Sequence, residues 1–202
     1  MKKFIVLIAM VALLGSLTFA QLGTDVYVGY DLGLKTATAE STDVKFYDAN
    51  SARITGDASN ATSFINLGLL VDYEIADGFS IGGGVGGALP MTNKIKYGSD
   101  AASSTAMKFA LDGLVGVNYA YPLEPVMLKA NLTGGLSFLD MSHMGYLVKA
   151  KFGLGYDIGG FTVSLGAGYE LRNYTIKPSG EGAAGKLMFQ SIPIELGITL
   201  KF

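Results

Sequence analysis

The chain has no cysteine and no tryptophan, a single histidine and only five prolines among 202 residues. Without cysteine an exported domain has no disulfides to brace it, and no thiolate is available for nucleophilic or metal chemistry. One imidazole, that of His143, falls short of any zinc-type ligand set. Charge is scarce as well: Asp, Glu, Lys and Arg make up 16% of the residues, with a formal balance of −2. The sequence has no basic stripe, which excludes nucleic acid as a partner. Beyond residue 20 no apolar run reaches the ~18 residues of a membrane helix. Yet 50% of the residues are hydrophobic, with 28 glycines, 11 tyrosines and 11 phenylalanines. Apolar abundance without apolar runs points to alternation, and alternation points to β-structure.

The first segment stands apart. Lys2 and Lys3 precede an apolar run from Phe4 to Leu14, and Ser16-Leu17-Thr18-Phe19-Ala20 sets small residues before Gln21. This is the pattern of a secretory signal peptide over 1–20, and the run is too short to span a bilayer. Its removal leaves 21–202 as one domain and shifts the formal charge from −2 to −4 through loss of the two lysines. No cysteine follows the cut, so a lipid anchor is not expected.

From residue 26 onward the apolar residues fall on every second position. Val26, Val28, Tyr30, Leu32 and Leu34 alternate with Tyr27, Gly29, Asp31, Gly33 and Lys35. The same period returns over 64–74, 79–89, 107–119, 126–138, 146–157, 161–172 and 192–202, giving eight amphipathic segments. Each reaches the ~9–11 residues that a tilted strand needs to cross hydrocarbon. Segments 75–78, 120–125 and 158–160 are short and carry Gly, Pro or Asp, and are read as tight turns. Segments 36–63, 90–105, 139–145 and 175–186 are read as longer polar loops. The expected fold is all-β, an eight-stranded antiparallel up-and-down barrel.

A soluble, lipocalin-type barrel also alternates, with its apolar face inward. Three features favour a barrel in a membrane. No Asp, Glu, Lys or Arg lies on the apolar face of any segment, although a soluble core would exclude charge too. The polar face is crowded with glycine, as at Gly82, Gly84, Gly86, Gly153, Gly155, Gly166 and Gly168, which suits a narrow lumen better than a wet outer surface. Aromatic residues gather at the ends of the apolar face: Tyr73, Phe79, Tyr119, Tyr156, Phe161 and Phe202 beside the turns, and Phe109, Phe138, Tyr146 and Tyr169 toward the loops. Two such girdles mark the headgroup levels of a bilayer.

With its leader, its eight alternating strands and Phe202 at the end of the last stripe, the chain resembles the small outer-membrane β-barrels of the OmpA/OmpX type. The resemblance is one of pattern and covers 21–202. It implies a monomer in the bacterial outer membrane, exported through the Sec pathway and surrounded by outer-membrane lipid. In that family the barrel-assembly machinery reads a terminal aromatic; here that role would fall to Phe202, with Leu200 and Ile198 behind it. No peptidoglycan-binding domain is expected after the last strand.

Chemistry must come from the inward face or the loops. Asp31, Asp112, Lys149, Lys151, Glu170, Arg172 and Glu195 are expected in the middle or upper lumen, and Asp72, Glu74, Lys129, Asp157 and Lys201 nearer the periplasmic mouth. Mixed charges in a narrow space fit a salt-bridge and water network that plugs the barrel. The same charges would set the selectivity of a narrow porin-like channel for water, ions or small solutes. Ser142 and His143 invite comparison with barrel enzymes that act on lipid A, but adjacent residues of an extended chain point to opposite faces, so no enzyme is expected. No cofactor or metal is implied. The long loop 36–63 could recognise a surface ligand. The reading is therefore a non-enzymatic barrel serving envelope integrity or surface contact, with the channel as its alternative.

Overall fold

In the computed structural model, residues 22–39, 46–47, 53–54, 56–57, 61–91, 95–97, 101–103, 108–176 and 185–201 are described. The expected leader 1–20, the terminal Phe202 and most of loop 36–63 lie outside the described residues.

Eight long strands build the molecule: β1 Leu22–Ala39, β2 Phe64–Ala76, β3 Phe79–Pro90, β4 Ala110–Leu123, β5 Val126–Leu139, β6 His143–Asp157, β7 Phe161–Ile176 and β8 Gly185–Lys201. Each pairs antiparallel with its neighbours in the chain, and β1 pairs with β8 from Gly23↔Lys201 to Ala39↔Lys186. The sheet therefore closes on itself as an eight-stranded antiparallel β-barrel. Closure is what a lipid environment demands, because an open sheet edge would leave backbone groups unbonded in hydrocarbon.

Alternation decides which side chain faces what. Val28, Leu67, Val85, Val115, Leu132, Phe152, Leu165 and Leu196 stand exposed on the outer wall. Such a continuous apolar surface is the lipid-facing band of the barrel. Tyr27, Asp31, Asn66, Leu70, Asp112, Leu114, Lys149, Glu170, Arg172 and Glu195 are buried in the lumen.

Three connections at one end are tight, at Asp77-Gly78, Glu124-Pro125 and 158–160. Gly78 takes φ +69°, a conformation that glycine adopts without strain. At the other end, strand pairing runs past the limits drawn from the sequence. The polar stretch 139–145 is not a loop: β5 continues to Leu139, β6 starts at His143, and Asp140, Met141 and Ser142 form the whole connection. Likewise β1 extends to Ala39, β7 to Ile176 and β8 back to Gly185. Polar residues beyond the bilayer can continue a ladder that apolar periodicity no longer marks.

A second departure concerns Lys35. The register between β1 and β8 slips between Gly33 and Lys35, so that Gly33 faces Ser191 and Lys35 faces Gln190. This bulge reverses the alternation: Thr36 is buried beside Phe189, and Lys35 shares the outer face with Gln190. Asp157 departs too. It is exposed at the β6–β7 turn, where its carboxylate accepts the Gly159 amide at 2.7 Å.

Candidate functional site: the filled lumen

The lumen is stratified. Its outermost layer, beside the longer connections, is apolar and aromatic: Phe64, Ala88, Ala110, Leu139, Tyr174, Leu187 and Phe189 form one buried cluster. Register explains the assembly, since Ala88, Ala110 and Leu139 are cross-strand neighbours in turn, as are Tyr174 and Leu187. The Phe64 and Phe189 rings meet edge-to-face at 5.3 Å between centroids, and Tyr174 joins Phe189 at 6.0 Å. Sequence reasoning did not assign Phe189, Leu187, Tyr174 or Leu139 to the lumen: Leu139 falls in a segment read as a loop, and the other three fall between the limits of the expected strands and the loop 175–186. Carrying the alternation of β8 back from Glu195 through Ser191 would have placed Phe189 and Leu187 inside.

Below this cap lies the charged layer. Arg172 Nη1 binds the Asp112 carboxylate oxygens at 2.9 and 3.0 Å, and its Nε donates to Glu170. Lys149 Nζ lies 2.6 Å from Glu195 Oε1 and 3.8 Å from Glu170 Oε2. Lys151 completes the chain as the second partner of Glu195. Six of the seven lumen charges named from sequence thus form one connected network. Ser137 extends it by donating to Asp112 at 2.6 Å and meeting the Tyr174 hydroxyl at 2.7 Å. Tyr27 lies beneath the ammonium groups of Lys149 and Lys151, at 4.6 and 5.0 Å from its ring centroid. Lysine held over an aromatic face gains from the ring quadrupole.

Asp31 is the exception. It is 0% exposed, and neither carboxylate oxygen has a hydrogen-bond partner among the described residues; the same holds for the Asn66 side chain on neighbouring β2. Leu70, Leu114 and Leu147 pack with Tyr27 around this layer and dry it. Salt bridges that are desolvated but well hydrogen-bonded organise a core, and they are intolerant of losing one member.

Deeper still, toward the tight turns, polar residues line smaller contacts. Asp72 accepts the Asn118 amide at 2.7 Å, Asn131 bonds Asn118, and Thr133 donates to Asn131 at 2.7 Å. Lys129 lies 2.9 Å from Thr199 and 3.8 Å from Asp25. Here the lumen widens into a cavity of about 540 Å³ open at the barrel mouth.

Ser142 and His143 show no catalytic geometry. Ser142 is exposed in the turn, His143 opens β6 opposite Leu139, and no hydrogen bond joins the two. Among the described residues no three His, Cys, Asp or Glu side chains are arranged to hold a metal ion.

No family model matches the chain, and no curated protein matches it. Solved structures do match. Neisserial surface protein A is similar at a TM-score of 0.54 and 11% identity, over 91% of this chain and 98% of that one. The outer membrane protein OprG from Pseudomonas aeruginosa is similar at a TM-score of 0.52 and 12% identity, over 90% and 96% of the respective chains. At such identities the likeness is one of fold, and the fold is that of small outer-membrane barrels.

Proposed function

We propose that this chain is a closed, non-conducting barrel of the bacterial outer membrane, delivered there through a Sec-type leader over 1–20. Its work is structural: a stable wall segment that carries loops on its outer rim. The observation that supports this reading is the filling of the lumen. Asp31, Ser137, Glu170 and Tyr174 are each 0% exposed, and Phe64 and Phe189 are 1% exposed, so solvent scarcely touches these side chains from either end. An ion or solute would have to part an aromatic cap and then a desolvated charge network, and breaking buried pairs costs several kcal/mol.

Planar-bilayer recording tests the proposal. Purified protein reconstituted from detergent is expected to leave the membrane electrically silent. Reproducible discrete conductance steps would instead establish the narrow channel.

Outer-membrane lipid around the apolar band follows from the same reading. Recognition of Phe202 by the barrel-assembly machinery, and of a surface ligand by loop 36–63, belong to the proposal as well. Deleting Phe202 is the direct check on assembly, with loss of membrane-inserted protein as the expected result.

A further inference from the structure

The charged layer of the lumen does not balance. Its cations are Lys149, Lys151 and Arg172, and the anions bonded to them are Asp112, Glu170 and Glu195, equal in number. Asp31 is a further carboxylate in the same layer. It is 0% exposed, and among the described residues neither of its oxygens has a hydrogen-bond partner. An isolated carboxylate in a dry interior is strongly unfavourable unless a counter-charge reaches it.

The surroundings of Asp31 are short of donors. Directly opposite it stand Phe64 on β2 and Pro193 on β8, an apolar ring and a residue without an N–H. Asn66, on the luminal face of β2 opposite Gly29, has its side-chain oxygen and nitrogen buried and unbonded as well. From β7, Glu170 is the charged group that acts most strongly on Asp31, ahead of Arg172 and Lys149. Glu170 Oε1 accepts the Arg172 Nε, whereas its Oε2 has no hydrogen bond and lies 3.8 Å from Lys149 Nζ. Tyr27 on β1 and Glu195 on β8 are the remaining titratable side chains of this layer around Asp31. Two carboxylates and an amide therefore bring unbonded oxygens to one dry region. Oxygens without donors are the ligand set of a hard cation. A divalent ion would overshoot a deficit of one charge, and a monovalent ion closes it.

We propose that Asp31, Asn66 and Glu170 form an internal site for one small monovalent cation, an alkali-metal ion or a hydron. Because the site is sealed, its occupant is captured as the barrel folds, and it acts on stability instead of permeating. A conducting lumen would refute the closed barrel and leave this site in place; stability indifferent to cations would refute the site alone.

The test follows the urea midpoint of the fast-migrating, unboiled gel band for protein in lipid vesicles. Sodium chloride is replaced stepwise by choline chloride at constant ionic strength, choline being too large for the site. A second series varies pH in choline chloride alone. Above the dissociation constant, each tenfold rise in sodium is expected to raise the folded-to-unfolded ratio about tenfold. If the occupant is a hydron, sodium has no effect and the same gain accompanies each tenfold rise in acidity. Asp31→Asn removes the surplus charge and is expected to abolish the dependence in whichever series shows it. Should that variant fail to fold, Asn66→Ala removes one ligand oxygen, keeps the charge, and is expected to shift the dependence to about tenfold higher cation. A wild-type midpoint indifferent to both sodium and pH, or the same dependence in wild type and variants, would overturn the proposal.

Discussion

Arg172 on β7 spans the lumen to Asp112 on β4, placing one guanidinium nitrogen 2.9 and 3.0 Å from the two carboxylate oxygens. The two residues sit three strands apart in the ring, and their contact ties walls of the barrel that share no backbone ladder. Both are nearly inaccessible, at 3% and 6% exposure.

Removing the cation alone should therefore be severe. Arg172→Leu leaves Asp112 and Glu170 without their guanidinium partner and is expected to destabilise the barrel by ~3–5 kcal/mol. Asp112→Asn combined with Arg172→Leu should cost less than Arg172→Leu alone, because a neutral amide tolerates burial better than an orphaned carboxylate. The urea midpoint for loss of the fast-migrating, unboiled gel band in each variant decides the order.

The cap and the charged layer act in series. Phe64→Ala with Phe189→Ala should lower stability while leaving planar bilayers silent, since the ion pairs beneath still fill the cross-section. Adding Arg172→Leu to that pair is expected to bring discrete conductance. Conductance from the aromatic double variant alone would show that the charged layer is no barrier.

Glycines divide by the side they face. A methyl group on inward Gly168 would overlap the Ala150 carbonyl oxygen and come within 2.7 Å of Lys151 Cα, while one on outward Gly113 meets nothing within 4 Å. Gly168→Ala should reduce the yield of folded barrel sharply, and Gly113→Ala should be neutral within about 0.5 kcal/mol. Side-by-side refolding into lipid vesicles distinguishes them.

Charge on the outer wall provides a test of membrane depth. Leu165, exposed on β7 between Val163 and Ala167, should tolerate Arg poorly, at ~2–4 kcal/mol if it lies near mid-bilayer. The same substitution at Gln190, on the outer face opposite the bulge, should be nearly neutral. Equal costs at the two sites would contradict the position assigned to the apolar band.

At the β5–β6 connection, Asp140 and Met141 adopt φ of 51° and 58°, which non-glycine residues rarely do. Asp140 is tied there by its Oδ1, which accepts the Lys108 and Phe109 amides at 2.7 and 3.0 Å. Met141 has no comparable tie, and Met141→Gly is expected to stabilise the turn by ~1 kcal/mol. Thermal loss of the unboiled band would shift upward accordingly.

Much of this arrangement is legible in the sequence where physics repeats every second residue. Lipid excludes charge from one face along every strand, so Val28, Leu132 or Leu196 declare their side. Lumen charges such as Glu195 and Lys149 follow by parity. What parity does not carry is distance across the barrel, so the Arg172–Asp112 contact and the grouping of Lys149 and Lys151 around Glu195 are properties of closure. Parity also fails at a bulge. The slip before Lys35 has no signature in residue type, and it turns a side chain read as luminal to the outside. The aromatic cap escaped notice because Phe189 and Tyr174 stand beyond the bilayer stretch, where the outward partner is no longer forced to be apolar.

The seam between β1 and β8 carries sixteen residue pairs, against ten between β3 and β4. The join between the first and last strands is thus no weaker than a hairpin made by chain neighbours. The polypeptide is a line, but its hydrogen bonding is a hoop without ends. Loosening any one strand means breaking two ladders together, so local fraying has no favoured starting place within the membrane. Such a wall gives way as a whole or stays intact.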